Sequence, residues 1–276
     1  MHVVNEHMRE IRFVYPSKTT AISVTGTSCQ LKCAHCGGHY LKSMTPLASV
    51  VNGERQASAC SWLISGGCNT EGGIFFTEQL AVLRELKGDR KFNVHTGLID
   101  NRQIAEVATI ADRVSFDFIG DDDTIREVLG SSRTVEDYVA CYRNLRGQMS
   151  VAPHICIGLH GGRLRGEWRV LELLRELGAD SLTLLVFIPT KGTRYADCRP
   201  PSLEEIAAFF DTARQAFSAI PIHLGCMRPG GRYRNDLDIL AVKAGLDSIV
   251  NPSSGAIALA AELGIFTTVG EECCCL

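Results

Sequence analysis

The sequence lacks three features that would each point to a particular class of protein. No apolar run in its 276 residues is long enough to span a bilayer. The formal net charge is -3, so there is no basic excess with which to bind nucleic acid. The amino terminus does not join a basic region to an apolar one, as a signal peptide does. We therefore expect a soluble, cytoplasmic protein with no membrane and no nucleic acid among its partners.

No linker divides the chain, and short β-branched segments alternate with amphipathic segments from about residue 19 onward. This alternation is typical of β-α units around a parallel sheet, and eight such units predict an α/β fold, a closed (β/α)8 barrel of TIM type. We expect an N-terminal extension over 1–18, a single barrel domain over 19–265 and a cysteine-rich tail over 266–276. The predicted strands are 20–25, 59–65, 91–95, 113–119, 152–158, 181–187, 220–226 and 247–251. The predicted helices are 44–52, 77–87, 102–111, 134–147, 166–177, 202–217, 235–244 and 254–263.

Twelve cysteines are the most informative residues of the chain. In a reducing compartment they serve metals or chemistry more than disulfides. Cys29, Cys33 and Cys36 have the spacing C-x3-C-x2-C just after the first predicted strand. Three thiolates from one loop can hold three irons of a cubane cluster and leave the fourth iron to a small molecule. A zinc knuckle with His35 or His39 as the fourth ligand is the alternative.

The segment Thr25-Gly-Thr-Ser-Cys-Gln-Leu-Lys-Cys-Ala-His-Cys-Gly-Gly-His-Tyr40 resembles the signature of the radical S-adenosylmethionine (SAM) enzymes. The resemblance implies that the three cysteines bind a [4Fe-4S] cluster and that SAM chelates its open iron. It also implies a reducing electron donor, because these enzymes split SAM reductively to a 5′-deoxyadenosyl radical. The family usually has an aromatic residue or His before the third cysteine, and His35 stands there.

Two further segments resemble SAM-binding positions of the biotin-synthase-like branch of this family. Gly66 and Gly67 stand where a glycine-rich segment contacts the SAM amino group, although Cys68 replaces the usual Glu. An ordinary glycine turn is the alternative there. Arg133 precedes a helix for which Thr134 is a plausible cap, and it stands where an Arg of the family binds the SAM carboxylate.

The middle strands supply the other candidate SAM contacts. Asp117, at the end of the fourth predicted strand, or Asp121 could accept hydrogen bonds from the ribose hydroxyls, although a solvated acidic turn is the alternative. Cys156 and Gly158, around the end of the fifth predicted strand, stand where the family packs an apolar side chain and a glycine against adenine. We interpret Cys156 as a small hydrophobic residue rather than a ligand.

The cysteines at the end of the chain predict a second metal centre. Cys273, Cys274 and Cys275 are adjacent, and such thiols are best tolerated when they are metal-bound or redox-active. A tail folded over the top of the barrel would join Cys226, which ends the seventh predicted strand, in an auxiliary [4Fe-4S] cluster. Adjacent cysteines cannot easily all reach one cubane, so two tail cysteines plus Cys226 are the preferred ligands. Cys68 is the reserve ligand. A frayed or merely redox-sensitive tail is the alternative.

The whole pattern resembles one group within the radical SAM proteins. Together with the cysteine loop, Ser-Gly-Gly-Cys68 and Gly-Cys-Met-Arg-Pro229 look most like a subunit of the two-component lipoyl synthases. That resemblance implies a second radical SAM subunit as partner and sulfur insertion into an octanoyl chain on a lipoyl carrier protein. The auxiliary cluster would donate the sulfur. A basic barrel mouth for the carrier could include Arg163, Arg165, Arg228, Arg232 and Arg234.

Other functions remain open on the sequence. The chain lacks the N-terminal cysteine motif of the single-chain lipoyl synthase, and Ala152 stands where biotin synthase has an auxiliary ligand. The first alternative is a single-cluster radical SAM rearrangement, or a biotin-synthase-like reaction, in cofactor biosynthesis. The second is a non-catalytic iron-sulfur carrier, but the resemblances to SAM-binding positions argue against it because a carrier needs no SAM pocket.

Overall fold

A single curled sheet of parallel strands organises residues 9–54 and 59–276, which are the residues that the computed structural model describes. The strands are β1 (Glu10–Val14), β2 (Thr19–Ser23), β3 (Thr45–Pro46), β4 (Ser61–Ser65), β5 (Lys91–His95), β6 (Arg113–Asp117), β7 (Val151–Ile157), β8 (Leu182–Val186), β9 (Ile222–Leu224), β10 (Ser248–Val250) and β11 (Phe266–Gly270). Their order across the sheet is β11-β1-β10-β9-β8-β7-β6-β5-β4-β2-β3. All carboxyl ends therefore lie at one end of the curl, called the upper end here, and all amino ends lie at the lower end.

Helices alternate with the strands. The α-helices are α1 (Leu47–Val51), α2 (Leu80–Lys87), α3 (Asn101–Val107), α4 (Asp122–Thr124), α5 (Val135–Arg146), α6 (Glu167–Leu177), α7 (Leu203–Ala216), α8 (Gly231–Ala244) and α9 (Ser254–Glu262). A 3-10 helix covers His39–Ser43 and a π-helical turn covers Ile125–Leu129. Side chain to backbone bonds fix the starts of several helices; α7, for example, begins with a capping box between Ser202 and Glu205. No helix in the described ranges is long and apolar enough to cross a membrane.

The predicted α/β barrel-type fold is confirmed, with two differences. Each predicted strand and helix has a counterpart, but within the described ranges the sheet ends at β11 and β3 instead of closing by strand pairing. The sheet is also wider than the predicted barrel range, since β1 lies in the predicted extension and β11 lies in the predicted tail. Most of β11 is exposed, so it carries no amphipathic pattern to read. In contrast, exposed and buried residues alternate in β1, where Ile11 and Phe13 are buried. This pattern indicates a strand, although the sequence analysis did not predict one there.

The two faces of the sheet differ in polarity, and this positions the candidate site. Apolar side chains such as Phe92, Val114 and Leu184 belong to the buried core. Polar side chains alternate with them and bond to one another from strand to strand: Ser115 Oγ donates to Asn93 Oδ1 over 2.9 Å. The concave face is therefore a polar lumen rather than a second apolar core.

Candidate metal centres

The predicted cluster loop follows β2 at the upper end and is held by backbone hydrogen bonds to three other segments. It carries the predicted ligands Cys29, Cys33 and Cys36. The N–H of Ala34 donates to the Val128 carbonyl over 2.7 Å, and the Ala34 carbonyl accepts from Tyr195 over 3.0 Å. The N–H of Gln30 donates to the Cys68 carbonyl over 2.8 Å. Several elements thus present the three thiols in a fixed arrangement.

The loop sulfurs do not form a group whose ligand atoms all lie within 4.8 Å of one another among the described residues. Within the described ranges, the one group of three or more metal-ligating side chains whose ligand atoms all lie within 4.8 Å is the tail triplet. Ligand sulfurs of one tetrahedral zinc ion lie about 3.8 Å apart, given a Zn–S bond of about 2.3 Å. Ligands on different irons of a cubane are farther apart, so the loop fits a cluster better than the zinc knuckle.

Electrostatics also favours a cationic cluster at the loop. Burial raises the pKa of the Cys33 thiol, and the neighbouring thiols of Cys68 and Cys36 add to that shift. Burial likewise raises the pKa of Cys68 to about 12. Beside them, burial lowers the pKa of His35 to about 4, and its buried Nδ1 has no hydrogen-bond partner among the described residues. Several thiolates can share this site only with positive charge between them, which iron ions supply.

The glycine pair after β4 packs against this loop. A Cβ on Gly67 would lie 1.9 Å from the carbonyl oxygen of Ser28 and 2.7 Å from the Cα of Cys29. The N–H of Gly67 donates to Thr25 Oγ1 over 2.7 Å, and a Cβ on Gly66 would lie 3.1 Å from Thr25 side-chain atoms. The pair therefore supports the cysteine loop, a role that the sequence did not reveal. Its contact with the SAM amino group remains a prediction.

Asp117 ends β6 and points into the lumen. Its Oδ2 lies 3.2 Å from His95 Nε2, and half of its side-chain surface is open to the lumen. Burial raises the pKa of this carboxyl, but the imidazoles of His95 and His154 outweigh that effect and lower it to about 2. Asp117 is thus a fixed anion that can accept hydrogen bonds, as the predicted ribose contact requires. The alternative, Asp121, instead caps α4 and accepts from the Thr124 N–H and hydroxyl over 2.8 and 2.6 Å.

Arg133 is already paired with carboxylates. Its Nη2 lies 2.7 Å from Glu71 Oε2, in the loop after β4, and its Nη1 lies 3.5 Å from Asp137 Oδ1. Within the part of the chain that the structure describes, its buried Nε has no hydrogen-bond partner. The predicted cap Thr134 begins α5 in a capping box with Asp137. If Arg133 binds the SAM carboxylate, Glu71 must give up its place on the guanidinium.

A buried carboxylate shapes the segment after β7, and sequence reasoning missed it. Glu167 Oε1 accepts from the Gly158 N–H over 2.8 Å, and Oε2 accepts from the Arg165 N–H over 2.7 Å. Gly158 has φ +76, and a Cβ there would lie 2.2 Å from the Pro201 ring. Cys156 packs against the core, and burial raises the pKa of its thiol, which fits the interpretation as a hydrophobic residue.

The cysteine tail lies at the lower end, so the prediction that it folds over the top is wrong. The N–H of Lys18 donates to the Glu271 carbonyl over 2.8 Å, and the N–H of Cys273 donates to Thr19 Oγ1 over 2.7 Å. Lys91 Nζ, at the start of β5, lies 2.8 Å from Glu272 Oε2. The tail could not be placed from sequence because these partners lie some 180 to 250 residues earlier in the chain.

The tail thiols enter the lumen from below. Cys274 Sγ lies 4.0 Å from Cys275 Sγ, and all three sulfurs lie within 4.8 Å of one another. Cys275 is buried, with its Sγ 3.7 Å from both Thr183 Oγ1 and His154 Nε2. Asn93 Nδ2 donates to Cys273 Sγ over 3.5 Å. A second group of thiols therefore lies opposite the cluster loop.

The other predicted auxiliary ligands are not part of the tail triplet. Cys68 lies beside the cluster loop, where Cys29 and Cys36 contribute to the raised pKa of its thiol. Cys226 follows β9. Desolvation by the surrounding protein raises the pKa of its thiol, and Cys275 contributes to that shift. Neither residue forms the compact ligand group seen within the tail.

Arg228 does not contribute to a basic barrel mouth. Its guanidinium is fully buried and forms two bonds to Asp238, from Nε to Oδ1 over 2.7 Å and from Nη2 to Oδ2 over 3.0 Å. It also donates to the carbonyls of Gly225 and Val250 over 2.7 Å each. The pairing was hidden in the sequence because the partner is ten residues ahead, on α8. Of the other arginines, Arg165 is paired with Asp121 and Asp123, Arg232 lies beside Asp236, and Arg234 donates to the Asn251 carbonyl over 3.0 Å. The exposed Arg163 stays a candidate.

The fold is shared by radical SAM enzymes of known structure. Methylornithine synthase (PylB) has a TM-score of 0.63 at 15% identity over 94% of this chain and 84% of that one. The FeFe-hydrogenase maturase HydG from Carboxydothermus hydrogenoformans has a TM-score of 0.66 at 11% identity over 94% of this chain and 68% of that one. SuiB from Streptococcus suis, bound to S-adenosylmethionine, has a TM-score of 0.57 at 12% identity over 80% of this chain and 52% of that one. No protein-family model and no curated protein matches the chain.

The architecture is therefore one that these enzymes share. At 11–15% identity the likeness extends to the fold and not to the reaction. The features of this chain that bear on its reaction are the two groups of thiols and the lumen between them.

Proposed function

We propose that this chain is a radical SAM enzyme that inserts sulfur into an octanoyl chain on a lipoyl carrier protein. It would act as one subunit of a two-component lipoyl synthase, with a second radical SAM subunit and an electron donor as partners. The observation that carries the proposal is that two groups of thiols, those of the cluster loop and those of the tail, lie at opposite ends of one lumen. A radical generated at the upper end and sulfur supplied from the lower end could both reach a substrate chain between them.

The residues at the upper end fit the cofactors that radical generation requires. Cys29, Cys33 and Cys36 would hold a [4Fe-4S] cluster, which supplies the electron that splits bound SAM. Asp117 and Arg133 offer an acceptor and a cation at the predicted ribose and carboxylate positions. A deoxyadenosyl radical suits the abstraction of hydrogen from an unactivated alkyl C–H bond. The inserted sulfur would come from an auxiliary iron-sulfur cluster held by the tail.

The polarity of the lumen favours a second candidate function. Its wall includes the buried or half-buried polar side chains of Asn93, Ser115, His154, Thr183 and His223. Such a wall suits a small polar substrate better than an alkyl chain, because buried polar groups need hydrogen-bond partners. A single-cluster rearrangement in cofactor biosynthesis would use it, and the tail would then close the lower end without metal.

Anaerobic reconstitution of three proteins separates these functions. Wild type is compared with the Cys29→Ala/Cys33→Ala/Cys36→Ala and the Cys273→Ala/Cys274→Ala/Cys275→Ala variants for iron, sulfide and 5′-deoxyadenosine. We expect the loop variant to lose deoxyadenosine formation but keep tail-bound iron and sulfide. We expect the tail variant to keep SAM cleavage. Loss of all iron from the loop variant would instead favour the single-cluster rearrangement.

A deuterated substrate tests the octanoyl chain directly. With a perdeuterated octanoyl group on the carrier-protein lysine, hydrogen abstraction should move deuterium into 5′-deoxyadenosine. SAM cleavage without deuterium transfer, in the presence of the second subunit, would reject the octanoyl substrate. A wild-type protein that binds iron but never cleaves SAM would reject the enzyme in favour of an iron-sulfur carrier.

A further inference from the structure

We propose that His154 is the fourth ligand of the second metal centre, which becomes a Cys3His site with Cys273, Cys274 and Cys275. The inference rests on the second centre of the proposed function but not on the octanoyl substrate. It replaces Cys226 and Cys68, which the sequence suggested as partners of the tail. The fourth ligand would come from the middle of β7, so the centre would join the tail to the wall of the lumen.

Three of the four groups already have the spacing of metal ligands, and the fourth contacts one of them. The three sulfurs lie within 4.8 Å of one another, and His154 Nε2 lies 3.7 Å from Cys275 Sγ. Neighbouring ligands of a tetrahedral ion bound at about 2.3 Å (sulfur) and 2.0 Å (nitrogen) lie roughly 3.5 to 3.8 Å apart. His154 Nε2 lies outside the group of atoms that are all within 4.8 Å of one another, so the imidazole and the thiols of Cys273 and Cys274 must move toward each other to share a metal.

The imidazole is oriented as a metal-binding histidine. His154 Nδ1 lies 3.0 Å from the carbonyl oxygen of Ala152, two residues earlier on the same strand. A carbonyl can only accept, so Nδ1 carries a proton, and Nε2 is the ring nitrogen that faces the thiols and would bind the metal. A backbone carbonyl on the second ring nitrogen is the usual support of a ligating histidine.

Polar groups around the sulfurs support thiolates. Asn93 Nδ2 donates to Cys273 Sγ, and Thr183 Oγ1 lies 3.7 Å from Cys275 Sγ. A cavity of about 250 Å³ at the lower end borders Cys273 and Cys274 and gives room for inorganic atoms. His223 lines the same cavity, but its Nδ1 lies 2.7 Å from Ser248 Oγ, and its recorded side-chain hydrogen bond among the described residues is to that hydroxyl. It is therefore the matched control for His154.

The same four ligands suit either an iron-sulfur cluster or one thiophilic ion. The present sulfur spacing is that of a single ion, whereas a cluster requires the sulfurs to spread toward the cavity. The sulfide content of the loaded protein distinguishes the two.

The test uses the full-length chain with Cys29→Ala, Cys33→Ala and Cys36→Ala, so that bound metal reports the tail alone. Into this background we would introduce His154→Ala, His154→Cys or His223→Ala. The protein is reconstituted anaerobically with iron and sulfide, or loaded with Co²⁺ alone. Metal and sulfide contents are measured, and nitrogen coordination is read by pulsed EPR of the reduced iron centre or by the Co²⁺ absorption spectrum. Circular dichroism and thermal midpoints verify folding.

We expect His154→Ala to lower metal affinity by more than about tenfold, since even loss of a supporting group around a metal costs 10–100-fold. His154→Cys should retain metal and lose the nitrogen coupling, while His223→Ala should match the background. Wild-type metal content in folded His154→Ala, an unchanged nitrogen signal in His154→Cys, or no metal in the background protein would overturn the inference. Binding of one ion without sulfide would support the ligand set and overturn sulfur donation.

Discussion

The two groups of thiols in this molecule are held in opposite ways. In the cluster loop, three separated cysteines lie on a short segment. Backbone hydrogen bonds join this segment to Tyr195, to the π-helical turn and to the segment after β4. In the tail, three adjacent cysteines are held by ion pairs and by side chains of distant strands. The first arrangement separates its sulfurs and the second crowds them. Cysteine spacing alone therefore indicates what kind of centre a loop can hold, whereas a run of cysteines takes its meaning from its surroundings.

The largest expected effect comes from a substitution that displaces the cluster loop and leaves the tail in place. Gly67→Ala places a Cβ against the Ser28 carbonyl, so the loop must move. We expect a loss of about 1–3 kcal/mol in the free energy of unfolding and loss of loop-bound iron and SAM cleavage. Gly147→Ala is the control, because its Cβ would make only ordinary contacts of 3.5 and 3.6 Å at φ -67. Normal SAM cleavage by folded Gly67→Ala would show that the close packing is not needed.

The next effect comes from a substitution that weakens the tail metal centre and leaves the cluster loop in place. Asn93→Ala removes the donor to Cys273 and leaves the buried Ser115 hydroxyl without its acceptor. We expect about 1–3 kcal/mol of destabilisation and a 10- to 100-fold weaker tail metal centre, measured by chelator competition. The exposed Asn144→Ala serves as the control. If tail-bound metal resists the chelator as in wild type, the Asn93 donor does not support the thiolate.

A smaller effect sharpens the description of the loop side. Glu71→Gln removes the carboxylate that occupies Arg133, so SAM should bind about two- to fivefold more tightly, the range of an exposed ion pair. Arg133→Met should weaken SAM binding, and equilibrium dialysis against the reconstituted protein measures both. Equal affinity in all three proteins would remove Arg133 from the SAM site.

The smallest effect concerns the ion pairs that hold the tail. Lys91→Ala removes a partially exposed pair with Glu272, so tail thiols should react with iodoacetamide about twofold faster or less. High salt should abolish the difference, because it screens the pair in wild type. Lys42→Ala, on an exposed lysine at the opposite end, is the control. A large acceleration in Lys91→Ala would mean that the tail depends on this pair alone.

The same contrast explains what could be predicted from the sequence. Strands β2 and β4 to β10 and their helices follow from hydrophobic periodicity, and the cluster loop follows from spacing, because both signals are local. The position of the tail depends on Lys18, Thr19 and Lys91, which no local pattern connects to residues 271–273. The burial of Arg228 likewise depends on where α8 places Asp238. A charged residue in a glycine-rich segment otherwise suggests an exposed position.

Three tail sulfurs within 4.8 Å of one another can also react with each other. Oxygen can join two of them into a disulfide, whose sulfur atoms are about 2 Å apart, and a joined sulfur no longer binds metal. The rest of the barrel would be unaffected, so circular dichroism and gel filtration would not detect the change. Protein purified in air would then look native and lack its second centre, and exposure to oxygen would determine which form is studied.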